Sequence, residues 1–144
     1  MNRLVKLLVG FVALLVMGWV WHGPAGRGEA FAEALEVQAR ASIAKIEIPN
    51  IQVRIARDPI RRVAIMSGTM DPIQREGMGS EMGLADYVRA VPGISGVHWT
   101  DEPGGPGGLP MLVETWLLLT LAYAVGLGLG ALLFRRRKRQ SFLD

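Results

Sequence analysis

Four methionines, Met66, Met70, Met78 and Met82, crowd one part of the chain. Thioether sulfur is a soft donor that suits Cu(I), so a set like this would be a copper site if cysteine or histidine stood beside it. The chain has no cysteine, and its two histidines, His22 and His98, lie far apart without a partner at a metal-ligand spacing. The methionines therefore read as adaptable fillers of a small core or a binding surface, and no metal or cofactor is expected. His22 is expected at a membrane interface beside Trp21, and His98 on the solvent face of a strand. Ser67, Ser80 and Ser95 have no adjacent histidine or lysine to activate a nucleophile. The runs GGPGG at 104–108 and GLGLG at 126–130 are not phosphate loops: one contains proline, the other lies inside an apolar stretch. No catalytic residue emerges, and the expectation is a protein that is not an enzyme.

The remaining candidates are cationic. Arg54, Arg57, Arg61 and Arg62 gather around a predicted turn. Such a group is a solvated face that Asp58 partly offsets, unless the turn points at a bilayer, where arginines meet anionic headgroups. A second group, Arg135, Arg136, Arg137, Lys138 and Arg139, follows an apolar run directly. Both groups are candidate lipid contacts.

Charge placement also argues for a membrane. The formal charge of +3 comes from the two ends, because residues 29–102 hold 11 acidic and 8 basic side chains. Cations that flank apolar stretches point to a bilayer, not to nucleic acid. The segment Leu4–Trp21 contains one charge, Lys6, near enough to its start to snorkel. Its length approaches the roughly 20 apolar residues that a bilayer core requires, and Trp19 and Trp21 suit the far interface. A basic start before an apolar run also describes a signal peptide. Pro24 disrupts the nearest small-residue stretch, however, and an uncleaved anchor over residues 1–22 is the reading.

The second apolar segment, 111–134, follows Pro110, which suits a first helical position. Glu114 in its first turn is expected to be an interfacial, solvated carboxylate. Lysine and arginine near membrane ends favour the cytoplasmic side. Arg3 and Lys6 at one end, and the basic tail 135–144 at the other, place both termini there. The intervening region, about 90 residues, is then extracytoplasmic. Ala122, Gly126 and Gly130 are spaced by four, which lets two helix backbones approach closely. They form a candidate helix-packing face, against the first helix, a second copy or another protein.

Between the anchors, a spacer (23–28) leads to a folded unit (29–100), and a Gly/Pro-rich linker (101–110) is expected to let that unit move. Phe31, Leu35, Ala39, Ile43 and Ile46 recur at helical intervals. Ile51, Val53 and Ile55 alternate with Gln52 and Arg54 as in a half-buried strand. A turn at Arg57-Asp58-Pro59 precedes a second strand, with Val63 and Ile65 on one face, and the two strands should form an antiparallel hairpin. Asp71 and Pro72 read as an N-cap and a first helical residue. Glycines interrupt the helix at 77–80, and it resumes over about 81–91 with Leu84, Val88 and Val91 buried. Ile94–Thr100 is a third strand. The fold class is α+β, an αββαβ unit between two transmembrane helices.

Two segments resemble the BON family of bacterial envelope modules. Val63-Ala64-Ile65-Met66-Ser67-Gly68 is similar to its V-x-L-x-G element, and Val88 to Val97 to its V-x-x-V-x-G-V-x-x-V ending. The resemblance covers about 70 residues and departs from the pattern in its single copy, its glycine interruption and its flanking membrane helices. It implies a periplasmic, non-catalytic domain that binds phospholipid or another envelope surface. The residues themselves favour an accessory or assembly subunit of a bacterial inner-membrane complex. The expected partners are membrane lipids and another inner-membrane protein, with neither nucleic acid nor a small-molecule substrate.

Overall fold

The computed structural model describes residues 2–44, 46, 48, 50–78 and 81–135, the side chains of Arg3 and Arg135 excepted. Arg136, Arg137, Lys138, Arg139 and Ser80 lie outside the described residues.

Helix α1 (Arg3–His22) and the last helix, α5 (Met111–Arg135), carry the two apolar segments. Leu4–His22 and Met111–Phe134 are long and apolar enough to cross a membrane, and almost none of either is buried. At about 1.5 Å per residue they reach roughly 29 and 36 Å, against a hydrocarbon core of about 30 Å. The two run antiparallel. The Trp116 indole N–H donates to the Leu15 carbonyl at 3.1 Å, and the Tyr123 hydroxyl to the Leu7 carbonyl at 2.9 Å. An N–H or O–H facing hydrocarbon needs such an acceptor. Gly10 and Gly18 admit the two rings: a Cβ on Gly18 would lie 2.9 Å from Trp116, and one on Gly10 2.8 Å from the Tyr123 oxygen.

A turn at 23–25 leads into α2 (Arg27–Ala44), which begins slightly earlier than its apolar periodicity suggests. Ala32, Leu35 and Ala39 are buried against the sheet, whereas Phe31 is exposed and turns toward the two apolar helices. Strands β1 (Gln52–Arg57) and β2 (Ile60–Ser67) form the expected antiparallel hairpin. Its register pairs Val53 with Met66 and Ile55 with Ala64. Val63 and Ile65 share a face of β2, as expected, and the core face is the other one, formed by Ala64 and Met66. Side chains alternate across a sheet, so a one-residue difference in register exchanges the faces. Val63 is buried too, but on the opposite face, where Gly108 of the linker covers it.

The second helical region divides. Asp71 caps α3 (Pro72–Glu76) by accepting from the Ile73 N–H at 3.0 Å. Two short strands, β3 (Gly77–Met78) and β4 (Glu81–Met82), make a small finger before α4 (Leu84–Arg89). Glu81 and Met82, expected in the helix, are strand residues. A Cβ on Gly83 would strike the backbone of Glu76 and Gly77, so the finger closes only with glycine there. Leu84, Val88 and Val91 are buried as expected. Gly93, at φ +101°, turns the chain where a Cβ would sit 2.9 Å from Leu35. The chain then enters β5 (Gly96–Trp99), parallel to β2, giving sheet order β1-β2-β5.

The open edge of β1 is closed by α2. Arg40 donates to the Val53 carbonyl at 3.2 Å, and Glu36 accepts from the Ile55 N–H at 3.2 Å. One helical turn thus satisfies two edge groups that would otherwise invite another strand. Trp99, Ile55, Met66, Val53 and Val88 are the largest fully buried side chains. Arg75 lies over the Trp99 ring, 4.3 Å from its centroid, and closes the core on the α3 side. Trp99→Ala is expected to cost about 3–5 kcal/mol and to lower the unfolding midpoint in a near-ultraviolet circular dichroism melt of the full chain in detergent.

Candidate functional site

The residues with unusual environments gather where the domain meets the two long apolar helices. Arg61 and Arg62 are consecutive in β2, so they leave it on opposite faces, and they bind different parts of the return path. Arg61 donates to the Pro106 and Gly108 carbonyls, and its backbone bridges to Pro110. Arg62 forms a two-pronged ion pair with Glu114 in the first turn of α5, Nε to Oε2 at 2.7 Å and Nη2 to Oε1 at 3.1 Å. The Glu114 carboxylate raises the Arg62 pKa above its ordinary value. Ser95 ties β5 to the same point, donating through its N–H and hydroxyl to the Arg62 carbonyl at 2.6 and 2.9 Å.

Two expectations are corrected here. Glu114 is not a free solvated carboxylate, because Arg62 fills both of its oxygens. The linker is not a loose tether either: carbonyls freed by its glycine and proline turns are taken up by Arg61. Arg57 pairs with Glu29 at 2.6 Å and Glu36 at 3.2 Å. Of the four hairpin arginines, Arg54 alone is exposed without an ion pair among the described residues.

Beside this joint lies a cleft of about 290 Å³. Trp21, His22, Arg27 and Phe31 line one wall, from the α1–α2 elbow; Arg62, Glu114 and Leu118 are among the residues of the other. His22 is half-buried, its ring against Gly28, where a Cβ would approach within 2.6 Å. The Arg27 guanidinium sits 5.3 Å from the Trp21 ring centroid, a cation–π contact. Immediately along the helix seam is a second, almost wholly apolar cavity of about 250 Å³, lined by Met17, Gly18, Trp21, Thr115 and Leu119.

The other candidates are dispersed. Met66 is buried and Met70 packs against the core, while Met78 and Met82 are exposed on the finger, so the four sulfurs do not converge. Met78 and Met82 line a shallow apolar groove of about 220 Å³ with Ile46, Ile48, Ile73 and Tyr87. His98 is largely covered, its side chain 15% exposed, with Nδ1 3.5 Å from Glu102. It is thus not on a solvent face. Among the described residues no three His, Asp or Glu side chains are grouped to hold a metal ion.

A Cβ on Gly126 or Gly130 would meet nothing within 4 Å, and Ala122 is exposed. The antiparallel register brings Leu4 level with about Gly126. Helix α1 therefore ends where the glycine-rich half of α5 begins. The helix pair uses Gly10 and Gly18 with Trp116 and Tyr123 instead. Two glycines eight apart and a single phenol in an apolar helix were the available signals for that contact.

Glu114→Ala should cost about 1–2 kcal/mol, the range for a half-exposed charge-assisted pair. Arg61→Ala, which frees the Pro106 and Gly108 carbonyls, should make the 103–108 segment cleavable by a nonspecific protease, which limited proteolysis of the full chain reads directly. A second expectation concerns Asp101, whose carboxyl Arg75 holds below the usual carboxylate range through a paired hydrogen bond at 2.7 and 2.9 Å. A depressed carboxyl stabilises the fold above its unfolded pKa and loses that contribution as pH falls through the folded value. The stability difference between the parent and Asp101→Asn should be constant above about pH 5 and shrink below about pH 4, as followed by denaturant unfolding across that range. Compared with family models, curated proteins and solved structures, the chain matches none, so its functional reading rests on its own residues and geometry.

Proposed function

We propose that this protein is a non-enzymatic, two-pass inner-membrane protein that serves as an accessory or assembly subunit of a larger membrane complex. The observation that carries this reading is the joint itself. Arg62 holds the α+β unit on the first turn of α5 and Arg61 holds the segment that leads into it, so the domain is presented in a set orientation at the bilayer surface. A domain held in this way leaves two surfaces open to a partner: the apolar groove around Met78 and Met82, and the small-residue half of α5 that α1 does not reach. The first suits an adaptable protein contact; the second suits close packing of another membrane helix. The BON-like segments belong to the same reading, as part of a binding domain with no reaction of its own. The basic residues at both ends support cytoplasmic termini and an extracytoplasmic domain.

Two measurements test it. Because the chain has no cysteine, Gly104→Cys is a single labelling site. A membrane-impermeant maleimide should reach it once the outer membrane alone is permeabilised; labelling only after the inner membrane is breached would reverse the topology. A photo-crosslinking residue at position 82 or 126 should trap one defined heavier species in native membranes, whereas the same probe at Gln52 should not. A monomer of 15.7 kDa from all three positions, with a monomeric native gel band, would overturn the assembly role.

A further inference from the structure

The cleft beside Arg62 and the apolar cavity below it are adjacent sections of one seam. They share Trp21 and Thr115 as lining residues, and they differ sharply in chemistry. The upper section is bordered by Arg27, Arg62 and His22; the lower is lined by Met17, Gly18 and Leu119. The order follows the membrane normal. His22 is the last residue of α1, and Met111 to Leu118 are the first two turns of α5, so the polar section lies at the water end of both spans. Met17 and Leu118 are exposed at the mouths of these cavities, which leaves the seam open sideways to the bilayer.

We propose that this seam binds one anionic phospholipid from the extracytoplasmic leaflet, its headgroup phosphate in the upper cleft and the start of an acyl chain in the lower cavity. Charge selects the headgroup. Arg62 is balanced by Glu114, but Arg27 has no carboxylate partner among the described residues and is held over the Trp21 ring. That leaves the Arg27 charge in the cleft uncompensated among the described residues, which favours an acidic lipid over a zwitterionic one. Trp21 serves both sections: its ring lines the apolar cavity and carries the guanidinium that meets the phosphate. Phe31 completes the wall. Its exposure on α2, away from the domain core, is what a residue facing lipid, not water, would show. This site is separate from the hairpin face at Arg54, and it depends on the membrane helices, not on the domain alone.

The test uses the full chain, released from detergent in native mass spectrometry after incubation with phosphatidylglycerol or phosphatidylcholine. One phosphatidylglycerol should be retained per chain, with a preference over phosphatidylcholine of about fivefold, the order expected for one headgroup–arginine contact. Arg27→Gln should abolish the preference, and Arg27→Lys should restore part of it. Met17→Trp, which fills the lower cavity, should reduce retention of both lipids. Arg54→Gln, an equal loss of charge elsewhere on the domain, should change nothing. Equal retention of the two lipids by the parent would overturn the proposal. So would an Arg54→Gln effect as large as that of Arg27→Gln, since it would reduce the preference to net charge. Displacement of the lipid by inorganic phosphate at millimolar concentration would overturn it as well, by showing that the cleft binds a free anion and that the lower cavity contributes nothing.

Discussion

The contact between Arg62 and Glu114 joins the parts of this protein that differ most in their surroundings. Arg62 belongs to the central strand of the domain sheet, and Glu114 to the first turn of a helix long and apolar enough to cross a membrane. A carboxylate at a helix N-terminus is favoured by the helix dipole, and the arginine supplies a planar fork that meets both of its oxygens. Because β2 lies between β1 and β5, the position of this one arginine is set by the whole sheet. The orientation of the domain on its anchor follows from it, and so does the wall of the cleft that Arg27, Trp21 and Phe31 complete.

Helix α2 connects the other parts. On one side Ala32, Leu35 and Ala39 supply the core, and Glu36 and Arg40 complete the β1 edge. Arg57 then returns from the end of β1 to Glu29 and Glu36, and Arg40 also pairs with Glu36, so four of the domain's charges are used within it. On the other side Phe31 and Arg27 face the two apolar helices. A small domain with a core this thin gains little from burial alone. Its many side-chain to backbone contacts, and its attachment to the helix pair at both ends, are the compensation.

The helix pair shows how polar groups are accommodated in an apolar setting. Tyr123 and Trp116 each find a backbone carbonyl on α1, and Gly10 and Gly18 provide the close approach. The interface is therefore aromatic against glycine. Gly126 and Gly130 lie where α5 extends past the start of α1, and Ala122, level with about Leu8, is exposed, so this stripe is not used in the α1–α5 contact.

Much of the architecture was legible in the residues. The apolar lengths, the flanking cations, the alternation of Val53 and Ile55, the Asp71-Pro72 start and the buried Leu84, Val88 and Val91 stripe each follow from local spacing, because periodicity and capping act within a few residues. What the local pattern left open needed partners distant in sequence. Val63 and Ala64 are both apolar, and only pairing with β1 decided which one faces the core. Glu114 looked solvated until Arg62, 52 residues earlier, was brought beside it. Residues 101–110 have the composition of a loose linker, yet Arg61 uses their carbonyls to hold them. The chain by itself determined which segments suit lipid and which form the sheet, since hydropathy and period are local properties. Only the tertiary structure decided that Trp21, Arg27, Phe31 and Arg62 share one cleft, because their meeting depends on the turn after α1, the sheet register and the return of α5 together.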